Sequence, residues 1–163
     1  MAGDFSFDVV SQFDRQELVN AVDQTKREIA TRYDFKGTKA GIELEKDALE
    51  LTGDSDFQLK SVKDVLESKA IRRGLSLKIF EYGMAEPAAG STVRQKVSLK
   101  AGISDDLSRK ITKLVRDKLP KVKTQVQGDA IRVSSKSKDE LQGVIQLLKE
   151  QDYPVPLQFI NYR

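Results

Sequence analysis

An internal repeat constrains this chain more than any other feature. A shift of 82 positions pairs Ala48 with Ala130, Leu49 with Ile131, Leu51 with Val133 and Thr52 with Ser134. The same shift pairs Leu59 with Leu141, Val62 with Val144, Leu66 with Leu148, Leu75 with Leu157 and Leu77 with Phe159. One register therefore runs through a strand, a helix and a second strand, and a constant offset favours duplication over convergence. The 163 residues then divide into two small domains, each long enough to bury a core.

Hydrophobic periodicity supplies the elements of each copy. Phe5, Phe7 and Val9 alternate with Ser6 and Asp8, which predicts a strand with one apolar face. Leu18, Val22, Thr25 and Ile29 recur at helical spacing from Asp14 to about Arg32, with Ser11 or Asp14 as N-cap. Ile42 and Leu44, then Leu49 and Leu51, read as a hairpin across Lys46 and Asp47. A second helix follows Asp54 or Ser55 through Leu59, Val62, Leu66 and Ala70 to Gly74, and Leu75, Leu77 and Ile79 predict a fourth strand.

The run EYGMAEPAAGS breaks both periods and reads as a linker. Beyond it the pattern restarts. Val93, Val97 and Leu99 predict a strand; Leu107, Ile111, Leu114 and Val115 a helix after Ser104 that ends at Pro120. Val122, Thr124 and Val126 face Ile131 and Val133 across a Gly128-Asp129 turn; Leu141, Val144 and Leu148 follow Ser137, and Leu157 and Phe159 close the chain. The expectation is an α+β fold, a tandem of two ferredoxin-like, or RNP-like, βαββαβ domains with antiparallel sheets. The expected boundaries are 1–82, a linker at 83–91, and 92–163.

Composition narrows the chemistry. There is no His, Cys or Trp, which removes thiol and imidazole catalysis, disulfides and the usual zinc sites. No phosphate-cradling G-x-x-x-x-G-K-[ST] or G-x-G-x-x-G loop occurs, and no carboxylate arrangement stands out as a catalytic centre, so the reading is non-enzymatic, without metal or cofactor. The opening MAGDFSFDVV carries no basic, apolar leader pattern and no long apolar run follows, which predicts a cytoplasmic protein without a membrane partner. The net charge of +3 divides unevenly: 13 Lys and Arg against 16 Asp and Glu in residues 1–85, and 15 against 9 in residues 86–163.

In this fold the helices cover one sheet face and leave the other open. Alternation places Asp8, Glu43, Glu45 and Glu50 on the first open face, where they repel phosphate. It places Arg94, Lys96, Ser98, Lys100, Lys123, Gln125, Gln127, Arg132 and Gln158 on the second, where cations meet phosphates and Gln or Arg bonds a base edge or ribose. The third strand of the second copy, QGDAIRVSS, lacks the aromatics of a sequence-specific RNA reader. Phe80, Tyr82 and Tyr162 lie near strand ends, where an aromatic either stacks a base or packs on its neighbours.

The densest local constellation is RYDFKG: Arg32, Tyr33, Asp34, Phe35, Lys36 and Gly37. Arg and Lys hold phosphate, Tyr or Phe stacks, Asp accepts from an amine or ribose hydroxyl, and Gly lets backbone approach closely. The same residues also make an ordinary helix end with a cation, an aromatic plug and a Gly turn. Arg109, Lys113 and Arg116 form a basic stripe on the third helix beside Lys110 and Lys118, again either a phosphate field or a solvated face.

The segments SFDVVS, NAVDQTKREIATRYDFKGTKAGIEL, VRQKVSLKAGIS, KLVRDKLPKVKTQVQGDAIRVSSKSKDELQGVIQLLK and PLQFINYR closely resemble the YajQ family of bacterial proteins along essentially the whole chain. The resemblance implies two RNP-like domains in tandem, leaves open an exchange of strands between them, and implies a cytosolic nucleotide-binding protein. Cyclic di-GMP binding with action through a transcription regulator, and binding of ATP, GTP or RNA, belong to what it implies. The expected site joins RYDFKG to the second sheet across an interdomain groove. The alternatives are an RNA-binding protein of low sequence specificity and an adaptor whose acidic first sheet docks a basic protein.

Overall fold

A computed structural model of the chain describes residues 4–163; residues 1–3 of the opening segment lie outside the described residues. Eight strands and four helices are described: β1 Phe5–Val10, α1 Arg15–Thr31, β2 Gly41–Leu44, β3 Ala48–Gly53, α2 Asp56–Arg72, β4 Phe80–Ala88, β5 Thr92–Leu99, α3 Asp105–Lys118, β6 Lys123–Gln127, β7 Ala130–Ser135, α4 Lys138–Lys149 and β8 Gln158–Ile160. The fold is α+β with two antiparallel four-stranded sheets, of order β6-β7-β1-β8 and β2-β3-β5-β4.

The expected helix starts hold. The side chain of Asp14 accepts from the N–H groups of Gln16 and Glu17, and Ser55, Ser104 and Ser137 accept from Gln58, Leu107 and Glu140. Each cap satisfies N–H groups that the first helical turn cannot bond internally.

The domain boundaries fall elsewhere than expected. Residues 4–12 with 101–163 form one compact unit, and residues 13–100 the other. In the first unit β1 pairs with β7 and β8, so the βαββαβ order is interrupted after β1 by the whole second unit. In the second unit β5 takes the inner place beside β3 that an opening strand would hold. The two copies have exchanged a strand.

The cause is the segment expected to be a linker. Residues 83–88 are strand, and residues 89–91 form a tight turn in which Gly90 and Ser91 hold φ of 75° and 60°. Glycine adopts that left-handed backbone without cost, and such a turn folds β5 back onto β4. Once β5 is bound to β4 it belongs to the second sheet, and β1 completes the sheet that β5 left. The fourth strand of this unit also shifts: Leu77–Ile79 form a short 3-10 turn and pairing begins at Phe80.

Each unit buries its own core. In the second, Leu18, Val22, Ile29, Ile42, Leu49, Leu51, Leu59, Leu66 and Val97 pack together. In the first, Phe7, Val9, Ile111, Val115, Ile131, Val133, Val144 and Leu148 do so. The repeat at offset 82 is thus visible as β3 with α2 and β7 with α4.

Candidate functional site

The residues singled out from the sequence occupy three places, each within one unit. The first is the corner after α1, in the second unit. Arg32 donates from Nε and Nη2 to the two carboxylate oxygens of Asp34, at 2.8 and 2.7 Å, and from Nη1 to Glu28 Oε2 at 3.1 Å. Its guanidinium lies 4.8 Å from the centre of the Phe35 ring. The hydrogen bonds to Asp34 and Glu28 hold the Arg32 proton above its already high ordinary value, and Arg32 in turn holds the Asp34 carboxyl below the usual range.

Phe35 is only 4% exposed and belongs to the core. Arg32, Asp34 and Phe35 therefore build the corner itself, a bidentate fork over an aromatic plug. Tyr33, 89% exposed, and Lys36 point outward. A hollow of about 420 Å³ lies between this loop, the last turns of α1 and β2, with Lys26 and Lys36 among its lining residues and Glu43 opposite.

The second place is the open face of the second unit's sheet. Residues paired across antiparallel strands share a face. Lys96 stands opposite Glu50, and Arg94 stands between Thr52 and Glu86. Arg94 Nε lies 3.8 Å from Glu50 Oε1. The expectation that Arg94 and Lys96 belong to a basic sheet with Lys123 and Arg132 is corrected: the exchange carries both into the acidic sheet and balances them there. Lys100 follows β5 in the same unit, its N–H donating to the carbonyl of Ile79 at 2.8 Å. Glu45, expected on a strand face, lies in the β2-β3 turn, where its N–H donates to the carbonyl of Ala48.

The charge asymmetry disappears with the same correction. The first unit carries 12 Lys and Arg against 10 Asp and Glu, and the second 16 against 15.

The third place is the open face of the first unit's sheet. Lys123, Gln125 and Gln127 alternate along the edge strand β6, all exposed, with Gln125 opposite Arg132 and Arg132 opposite Asp8. Arg132 donates to Asp8 at 2.9 Å, and Asn161 donates to the other oxygen of Asp8 at 2.8 Å. Gln158, on β8, accepts through Oε1 from the N–H of Gln12 at 2.8 Å. Beside Lys123 a small hollow of about 190 Å³ is bordered by Lys121, Lys136, Ser134 and Ser137, with Asp4 and Glu140 also lining it.

Sequence reasoning missed Lys121 and Lys136 as companions of Lys123, because they lie on the loops that follow α3 and β7 and meet only through the β6-β7 pairing. It also missed Asp8 as the partner of Arg132, since the alternation placed them in different sheets. Of the aromatics near strand ends, Phe80 and Tyr82 are packed and Tyr162 is exposed. Phe80 is buried, the Tyr82 hydroxyl donates to Glu67 at 2.7 Å, and the Tyr162 ring lies 5.9 Å from that of Phe7. On α3, Arg109, Lys113 and Arg116 are exposed, Arg109 3.7 Å from Asp106.

Among the described residues no cluster of three or more carboxylates is placed to hold a metal ion, and no helix is long and apolar enough to cross a membrane.

The family model described as nucleotide-binding protein YajQ-like matches residues 5–163. The chain is similar to a nucleotide-binding protein of Thermosynechococcus vestitus, 58% identical over 163 residues, and to one of Nostoc sp., 55% identical over 163 residues; both alignments cover all of each chain. A nucleotide-binding protein of Chloroflexus aggregans is 56% identical over 165 aligned residues, again covering both chains in full. With the match running from β1 through β8 and the identity spread over the whole length, this chain belongs to the YajQ-like family of nucleotide-binding proteins.

Proposed function

We propose that the protein is a non-enzymatic, cytoplasmic nucleotide-binding module, a sensor of a purine nucleotide or cyclic di-GMP that acts through a protein partner such as a transcription regulator. The observation that carries the reading is the open face of the first unit's sheet. There Lys123, Gln125 and Gln127 project from one edge strand beside a hollow rimmed by Lys121 and Lys136. Lysines supply point charges for phosphate, and glutamine amides supply both a donor and an acceptor for a base edge or ribose. Arg132 is anchored on Asp8 and positions the row next to β6. The family name and the names of the relatives support the nucleotide as ligand class.

In the second unit, Tyr33 and Lys36 offer an aromatic and a cation on a rigid corner, an auxiliary contact for the same class of ligand. Arg94 and Lys96 contribute less than their charge suggests, because both face carboxylates.

The test is isothermal titration of the nucleotide-stripped protein with cyclic di-GMP, GTP, ATP and a short single-stranded RNA, at physiological and raised salt. Saturable binding of one small nucleotide, lost in Lys123→Glu with Gln125→Ala and kept in Arg94→Glu, is the expected result. Binding confined to RNA, growing with length and falling steeply with salt, makes the protein a backbone-reading RNA binder instead. No binding by any of the four returns the adaptor reading.

A further inference from the structure

In the second unit a groove of about 920 Å³ lies between α1 and the end of α2. From α1 it receives Glu17, Arg27 and Glu28, from the last turn of α2 Lys69 and Arg72, and from the residue that caps α2 Arg73. Both carboxylates are already engaged. Glu28 accepts from Arg32 through one oxygen, and its other oxygen lies 3.0 Å from Lys69 Nζ. Lys69 and Arg32 hold its carboxyl below the usual range. Glu17 accepts from Asn20 at 2.9 Å and lies 3.8 Å from Arg73.

Arg27 and Arg72 are exposed and have no ion-pair partner among the described residues. Cations in a last helical turn are explained by the helix dipole, which accounts for Lys69 and Arg72 singly. It does not account for Arg27, on a different helix, lining the same hollow. The groove therefore holds a surplus of positive charge with unused fork-shaped donors. Its volume falls within the range of small-molecule sites, and its strongly charged lining suits a hydrated polyanion rather than an apolar ligand.

We propose that this groove binds the phosphate chain of an oligophosphate, with Arg27 and Arg72 as its principal ligands and Lys69 and Arg73 beside them. The chain comes either as the tail of a nucleoside triphosphate or as free inorganic oligophosphate. The site is separate from the sheet face proposed above and stands on its own residues.

Titration of the full chain with inorganic tripolyphosphate and, separately, with ATP, both in magnesium-free buffer, tests it. Saturable tripolyphosphate binding is expected, weakened about tenfold or more in R27E/R72E and in the milder R27Q/R72Q, because each loses two charge-assisted contacts. The same binding should persist in Lys60→Glu, a charge reversal on α2 outside the groove. If ATP binds this site more tightly than tripolyphosphate, the nucleoside triphosphate is the source; equal affinities assign the free phosphate chain. Absence of saturable tripolyphosphate binding, or wild-type affinity in both double variants with unchanged circular dichroism, overturns the proposal. Nucleotide binding that is lost only in Lys123→Glu would then leave the sheet-face reading intact.

Discussion

Asp8 and Arg132 stand 124 positions apart in the chain and meet on one sheet face, Arg132 Nε to Asp8 Oδ1 at 2.9 Å. The pair joins β1 to β7, so it fastens the strand that reaches this unit from the far end of an 88-residue insertion, residues 13–100. The Arg132 hydrogen bond, with help from Asn161, holds the Asp8 carboxyl below its ordinary range against the opposing effect of burial.

The sign of the pH effect follows from that direction. A carboxyl whose folded-state value lies below its unfolded one, about 3.9, stabilises the fold at pH values above the unfolded value, and the contribution is lost as pH falls through the folded value. Asp8→Ala should melt a few degrees lower than the parent at neutral pH, and its stability should fall less steeply between about pH 4 and 2. Thermal melts followed by circular dichroism across that range are the measurement. Superimposable neutral-pH melts would show that the pair does not fasten β1.

The strand exchange makes a prediction that contiguous domains would reverse. Phe7 is fully buried in the first unit, although its chain neighbours beyond residue 12 belong to the second. Phe7→Ala should cost about 3–5 kcal/mol. Its loss of amide protection should appear in β7, β8, α3 and α4, while α1 and α2 stay protected. Val97→Ala should do the opposite with a smaller loss. Residue-resolved hydrogen exchange reads both, and a Phe7→Ala effect spread over α1 and β3 would contradict the exchange.

The elements were legible because their signals are local. Alternation in Phe7 and Val9, the Asp14 and Ser137 caps and the Gly128-Asp129 turn each act over a few residues. The partnership of sheets was not legible, because β1 and β5 carry interchangeable patterns and either would fill either inner position. The deciding signal was the Gly90-Ser91 pair, which sits in a Pro- and Ala-containing run that resembles a linker. Misplacing β5 then misplaced Arg94 and Lys96, so the error in topology became an error in the charge of the site. At RYDFKG the residue types were right for anion binding, yet Arg32 is four residues after Glu28 and two before Asp34 and is claimed by both.

Gly37 closes that corner with φ of 73°, and a Cβ built there would meet nothing within 4 Å. Substitution is therefore opposed by the backbone alone. Gly37→Ala should destabilise the protein by about 1–2 kcal/mol, and Gly37→Asn by less, since Asn tolerates the left-handed region better. Urea unfolding of the three proteins provides the comparison. An alanine variant as stable as the parent would mean that the loop relaxes to negative φ, and the fixed presentation of Tyr33 and Lys36 would fall with it.

Tyr82 offers a readout at the alkaline end. Its hydroxyl donates to Glu67 at 2.7 Å, and the Lys63 ammonium lies 4.3 Å from its ring centre. Burial first, and the neighbouring Glu67 carboxylate second, raise its ionisation well above the ordinary tyrosine value of 10.0. A group whose folded value is raised stabilises the fold below its unfolded value, and that contribution is lost as pH climbs through the interval between them. Stability should therefore decline above about pH 10. In Tyr82→Phe this part of the decline should vanish, at the expense of leaving Glu67 without its donor at neutral pH. Absorbance titration of phenolate together with denaturant melts at pH 8 to 11 tests both halves. A decline of the same depth in Tyr82→Phe would assign the alkaline sensitivity to another group and leave the Tyr82–Glu67 bond without a measurable role in holding β4 against α2.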